Sequence, residues 1–362
     1  MWYFDYTMRR LIVSVVLLSS ELTGLGQSLS LGKSYNEVAP SQEPRVVLNA
    51  LRPYYDFMDV NLKPWHLKVD VQTYDDKGSP AEQGVFEYWW ASPKVYRSTW
   101  KLGNAIHSVW HTADHRSLIQ STGEPLGIYE HWLQTTLFSP LPSPADLAPA
   151  KSIIVDHSVA QNNSHSRCFM IVPAEITEPV AKELQFGTYP EYCVNKAKPI
   201  LLGYYRFGSL MVRCVDFSDM QGKSLPREID IIENSHVVLT GKVDSVEAVS
   251  ETDVAFTPAK DASPVHSEPV ELTPSAASRL LVKQVPPVAP DNAKGLQGKV
   301  VLKTIIGPDG GVEDVRLISS TEPSLALSAF KSVSHRQYKP YRVNDSPAPV
   351  ETTMDIDFPT KN

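Results

Sequence analysis

The sequence predicts an α+β protein: a long antiparallel meander with a few helices, a Pro-rich connector, and a small ββαβ unit at the end. Three observations carry this reading. Apolar and polar residues alternate over many short runs, most clearly Trp65, Leu67, Val69 and Val71 against His66, Lys68, Asp70 and Gln72, the period-two mark of a strand with one buried face. Pro (29) outnumbers Gly (18), a balance that favours chain reversals and extended connectors over long helices. The 362 residues suffice for two domains at roughly 150 residues each.

With 42% hydrophobic and 21% charged residues, most of the chain is expected to fold as an ordinary globular protein. Lys plus Arg (34) against Asp plus Glu (41) leaves a formal charge of -7, which opposes contact with phosphate backbones, so nucleic acid is not expected as a partner.

Residues 1–30 read as a cleaved secretory signal peptide: Met8-Arg9-Arg10 precedes the apolar run Leu11 to Leu18, and small and polar residues follow from Ser19 to Ser28. That run is about half the ~20 residues of a spanning helix, and Glu21 stops it. No Cys lies near its end for lipid attachment. Export implies an oxidising compartment, where Cys168, Cys193 and Cys214 allow one disulfide and one free thiol. Cys168 and Cys193 lie in strand-like pieces that a hairpin would place side by side, and this pair is the expected bridge.

A first domain is expected over residues 42–258. Val47, Leu48, Leu51 and Tyr55 share one face of a helix opened by Pro44. Strand runs follow at 65–71, 85–90, 96–100, 106–111, 117–120, 168–172, 210–217, 229–232 and 237–239. Turn signals such as Asp76-Lys77-Gly78 and Leu102-Gly103-Asn104 separate them. The meander is interrupted at Ile128 to Phe138, where Ile128, Trp132, Thr135 and Thr136 suggest a short helix before a Pro-rich stretch.

The segment Gly84 to Arg97, a strand, a Pro turn and a returning strand, together with the order helix, meander, helical insert, meander, resembles the LolA-like family of periplasmic lipoprotein carriers. That resemblance implies a half-barrel whose concavity holds acyl chains or another apolar ligand. Trp65, Trp89, Tyr96, Trp110 and Trp132 are the candidate lining of such a cavity, or they fill a sheet core, for which aromatic rings are equally suited.

No catalytic constellation is evident. His107, His111 and His115 recur every four residues, but a turn at Ala113 to Arg116 carries His115 out of line, and polar-face histidines on a hairpin explain them. The cysteine spacing fits no zinc pattern, and no Walker, Gly-x-Ser-x-Gly or His-Glu-x-x-His motif occurs. The expectation is a protein that is not an enzyme, with no metal and no cofactor.

Residues 259–279, rich in Pro, Ser and Thr, read as a semi-extended linker that, at about 3.1 Å per residue, reaches on the order of 60 Å and permits domain motion. Beyond it, over 280–360, Gly298 to Ile306 and Val312 to Ser320 flank the turn Gly307-Pro308-Asp309-Gly310-Gly311 as a hairpin. Leu325, Ala329, Phe330 and Val333 share a helical face, and Val350, Thr352, Met354, Ile356 and Phe358 alternate with polar residues in a final strand. Pro286-Pro287, Gly298 to Val300, Pro308-Asp309-Gly310, Val312 to Leu317, Ser319-Ser320 and Tyr338-Lys339-Pro340, in this order, resemble the C-terminal domain of the TonB family.

That resemblance implies a periplasmic module that pairs its sheet edge with a short segment of an outer-membrane transporter or other envelope protein, by β-augmentation. By position it assigns partner binding to Tyr338, Lys339 and Pro340 and to Val350, Thr352, Met354, Ile356 and Phe358. These residues also suit a helix stop, a turn and a core strand. The acidic outward row Glu351, Asp355 and Asp357 fits a guarded edge. The expected function is that of an exported adaptor. The alternative is a membrane-anchored energy transducer to outer-membrane transporters, from which this chain departs in its short apolar run and brief Pro-rich span.

Overall fold

In the computed structural model the described residues are 42–358 apart from 76, 158–165, 185–186, 197, 199, 208–209 and 289–295. The expected signal peptide lies outside them. No helix among the described residues is long and apolar enough to cross a membrane.

Helix α1 (Pro44–Tyr55) is capped by Glu43, whose carboxylate accepts the Val46 N–H at 3.2 Å, and it buries the expected Val47, Leu48, Leu51 and Tyr55. A meander follows through β1 (Trp65–Tyr74), β2 (Pro80–Ser92), β3 (Val95–Leu102), β4 (Ala105–His111) and β5 (Ser117–Thr122). After α2 (Ile128–Phe138) come β6 (Ser152–His157), β7 (Ser166–Pro173), α3 (Glu178–Glu183), β8 (Glu191–Asn195), β9 (Leu201–Phe207), β10 (Leu210–Met220), β11 (Lys223–Glu233) and β12 (His236–Ala248). The two halves join where β1 pairs antiparallel with β12, Trp65 opposite Ala248. With β13 (Ser263–Val265) added beyond β5, they form one large curved sheet in the order β13-β5-β4-β3-β2-β1-β12-β11-β10-β9-β8-β7-β6.

Helices α1 and α2 lie on one face of this sheet. Gly241 on β12 faces α2 so closely that a Cβ there would come within 2.6 Å of a Leu133 methyl. Helix α2 buries Ile128, Glu130, Trp132, Leu133, Thr136 and Leu137. Thr135 is exposed. The apolar stripe of α2 is poorly marked in sequence because the helix is covered on two sides, by the sheet and by the C-terminal module.

The connecting segment contributes β14 (Val270–Glu271), α4 (Pro274–Ser278) and β15 (Leu281–Lys283). The C-terminal module then runs β16 (Gly298–Ile306), β17 (Val312–Ser320), a 3-10 turn (Pro323–Leu325), α5 (Ala326–Ser334), β18 (Gln337–Tyr338), β19 (Tyr341–Val343), β20 (Ser346–Ala348) and β21 (Val350–Phe358). Its sheet has the order β14-β21-β16-β17. Leu325, Ala329, Phe330 and Val333 are buried as the sequence predicts. The hairpin turn rests on Gly310, at φ +91, whose N–H donates to the Gly307 carbonyl at 3.0 Å.

The free linker expected over 259–279 is not what forms. Its backbone is extended, but Ser263, Pro264 and Val265 pair with Ile119, Leu118 and Ser117 of β5, and Val270 and Glu271 pair in parallel with Val350 and Glu351 of β21. The reason is that each sheet ends in a row of unpaired backbone groups, and a Pro-bearing strand is tolerated on an edge, where one side needs no donor. The two sheets accordingly share one continuous apolar core. A smaller cluster, Val155, Met170, Val172 and Ala181, is partly closed by α3.

Candidate functional site

The final strand β21 has one sealed face and one partly open side. Val350, Thr352, Met354, Ile356 and Phe358 are all buried, pointing alternately inward as period two demands. The five side chains assigned to partner binding are therefore core, and only their backbone edge is available to a partner. Glu351, Asp355 and Asp357 project to the other face, where Lys303 and Lys299 pair with Glu351 and Asp355 at 2.6 and 2.7 Å.

The outer edge of β21 begins under a cover from the chain itself. Val270 and Leu272 donate their N–H groups to the carbonyls of Pro349 and Glu351, both at 2.9 Å, and the Thr352 hydroxyl donates to the Leu272 carbonyl at 2.9 Å. Helix α4 packs beside the same strand. Because the carbonyls of 349 and 351 face this side, alternation aims the N–H and C=O groups of Thr353, Asp355 and Asp357 the same way. Among the described residues no strand pairs with them there.

Tyr338 is likewise engaged internally, whereas Lys339 is held by its backbone and the side chains of Lys339 and Pro340 are exposed. Tyr338 is buried with its hydroxyl 3.5 Å from the Met354 sulfur, β18 pairs with β15, and the Lys339 N–H donates to the Leu280 carbonyl at 2.7 Å. Burial pushes the Tyr338 phenol up, against the pull of Arg336.

The five aromatic residues proposed as a cavity lining do not surround one space. Strand alternation puts Trp65 and Tyr96 on the helix-covered face, and Trp89 and Trp110 on the opposite one. Trp65 is stacked in the core on Tyr88 and Trp90, with centroids 5.4 and 6.2 Å apart. Tyr96 lies 4.0 Å from the ring of His111. Trp89 and Trp110 hold the Arg97 guanidinium between them at 4.6 and 4.9 Å, and the Trp110 indole N–H donates to the Ala255 carbonyl at 3.1 Å. Trp65 borders a cavity of about 580 Å³, which it shares with Pro64, Met220 and Val246 and with the charged Lys63, Asp219, Arg227 and Glu247.

Trp132 lies where the two parts meet. Its indole stacks on Phe330 of α5 at 5.3 Å, and the Arg206 guanidinium sits 4.5 Å over it. Arg206 reaches Asp314 of β17 at 3.5 Å. Burial alone would raise the Asp314 carboxyl, but Arg206 and Arg316 together bring it below its ordinary value. Gln337 donates to Glu124 at 2.9 Å, and Lys331 pairs with Glu233, which also accepts the Tyr129 hydroxyl at 2.6 Å. Sequence reasoning missed this contact surface, because Arg206, Glu233 and Asp314 carry no motif.

The disulfide joins Cys168 to Cys193, which stand opposite each other in the β7–β8 register, and Cys214 is a buried thiol pushed up to about 12 by burial. His107 and His111 share a face and are held by Ser121 and Ser117, while His115 sits in the β4–β5 turn at φ +63. No group of three or more His, Cys, Asp or Glu suited to a metal ion occurs among the described residues.

Residues 289–360 match the family described as Gram-negative bacterial TonB protein C-terminal. Among solved structures, a LolA superfamily protein from Nitrosomonas europaea superposes with a TM-score of 0.33 at 12% identity, covering 58% of this chain and 97% of that one. A putative outer membrane lipoprotein-sorting protein domain from Vibrio parahaemolyticus gives 0.34 at 5% identity, covering 56% and 91%. A DUF1329 family protein from Desulfovibrio piger gives 0.32 at 10%, covering 57% and 93%. No curated protein matches the chain. The chain thus ends in a module, residues 289–360, that is similar to the TonB C-terminal domain, an envelope family, and that follows a large curved antiparallel sheet.

Proposed function

We propose that this protein is an exported periplasmic adaptor without enzymatic activity. Its C-terminal module receives an extended segment of an envelope protein along the outer edge of β21, by β-augmentation. The observation that carries this reading is the row of outward N–H and C=O groups at Thr353, Asp355 and Asp357, which no described strand pairs. The match to the TonB C-terminal family supports it. The large sheet serves as the seat of the module, held through Trp132, Arg206 and Glu233. The cavity beside Trp65 offers about 580 Å³ to a ligand with an apolar part.

Capture from envelope extracts tests the adaptor role. The full chain is expected to recover a discrete envelope protein, and Asp355→Pro, which removes an outward N–H, is expected to lose it. Recovery of nothing, or equal recovery by the variant, defeats the reading. Intact mass of the purified protein checks the cavity, an apolar ligand appearing as extra mass lost on organic extraction.

A further inference from the structure

The start of the receiving edge is already filled by the chain itself, and the occupant describes what the edge accepts. Val270 to Leu272 lies parallel to β21, its backbone donating to Pro349 and Glu351 and accepting from the Thr352 hydroxyl. Leu272 packs against the shared core while Glu271 is exposed. The occupant is thus an extended piece with apolar residues at alternate positions and an unconstrained residue between them. It is held by two residues of pairing, and it is tethered: His266, four residues earlier, donates its N–H to the Pro347 carbonyl at 2.8 Å, and β13 is paired with β5 just before that.

We propose that Val270–Leu272 is a built-in stand-in for the partner, which an incoming segment of the same character, parallel to β21 and apolar at alternate positions, must replace. This rests on the adaptor reading above and adds to it the direction and pattern of the partner strand and a resident competitor. The tether keeps the competitor at the high effective concentration of an intramolecular ligand, so the edge rejects weak strands and yields only to one that also pairs beyond Thr352. Replacement frees the stretch from 267 to 272, which then becomes an extended spacer beyond the tether at β13 and His266.

The test uses the full chain and a synthetic peptide with the sequence of residues 266–272, His-Ser-Glu-Pro-Val-Glu-Leu, carrying a fluorophore at its N-terminus. Leu272→Pro removes the donor to Glu351. Val270→Pro removes the donor to Pro349 and serves if the first variant folds poorly. The peptide is expected to bind Leu272→Pro at least tenfold more tightly than the wild type, with Val270→Pro also tighter than the wild type, and to slow hydrogen exchange in Leu272→Pro over 350–353. Equal affinity for folded wild type and variants, protection at some other segment, or no binding to any of the three overturns the stand-in. Envelope capture separates the two ideas. One envelope protein recovered equally by wild type and Leu272→Pro keeps the adaptor and removes the competitor, whereas recovery by neither removes the adaptor.

Discussion

The indole of Trp132 on α2 and the ring of Phe330 on α5 are stacked, with centroids 5.3 Å apart, and are both buried. One belongs to the large sheet's helix and the other to the C-terminal module, so the contact packs the two parts together within one shared core.

Phe330→Ala is therefore expected to cost about 3–5 kcal/mol, the usual loss for a buried aromatic ring. It should lower the urea midpoint reported by tryptophan fluorescence, although every Trp lies outside the C-terminal module. An unchanged tryptophan midpoint would show that the parts unfold independently.

Gly310 occupies φ +91, and a Cβ there would press on the Tyr338 carbonyl. Gly310→Ala should destabilise by more than about 1 kcal/mol, since strain and a clash add. Guanidinium unfolding measures it, and a wild-type midpoint would refute the close approach.

Glu130 is buried in the first turn of α2, and burial holds its carboxyl above the usual range, with Glu82 acting in the same sense. The folded state thus binds this proton more tightly than the unfolded one. Its contribution to stability is complete below the ordinary Glu value and declines as pH rises through the folded value. Glu130→Gln should consequently unfold at higher urea than wild type at pH 8, with the two curves converging towards pH 4. A constant gap across that range would contradict the assignment.

Cys168 and Cys193 close a loop with a sequence separation of 25. The double variant Cys168→Ala/Cys193→Ala should lose about 3–4 kcal/mol by loop entropy. Cys214, buried and with its thiol pushed up to about 12, should resist a thiol reagent until the fold opens. Labelling of native protein at the rate of a free thiol would contradict its burial.

The strands with clean alternation were legible in the sequence, as 65–74 and 350–358 illustrate, and so were α1 and α5, each with a single buried face. What escaped were elements whose neighbours decide their state. Strands β13 and β14 form because two sheet edges need partners, not because Ser263-Pro264-Val265 or Val270-Glu271 favours pairing. Strand alternation alone sends adjacent Trp89 and Trp90 to opposite faces, but only the register reveals that Arg97 lies beside Trp89 and Trp110. At the candidate site the edge strand was legible, but its cover by residues 270–272 was not.

The pairing of β1 with β12 has a temporal consequence. Strand β1 is complete at Tyr74, but the strand that covers its second edge does not begin until His236. About 160 residues must be synthesised in between, on the order of 10–30 s at ordinary elongation rates. During that interval β1 to β5 can exist only as a half-sheet with one bare apolar face and two bare edges, along β1 and along β5, whose partner β13 follows later still. Its closure is a long-range step, so folding should be slow and limited by this seam.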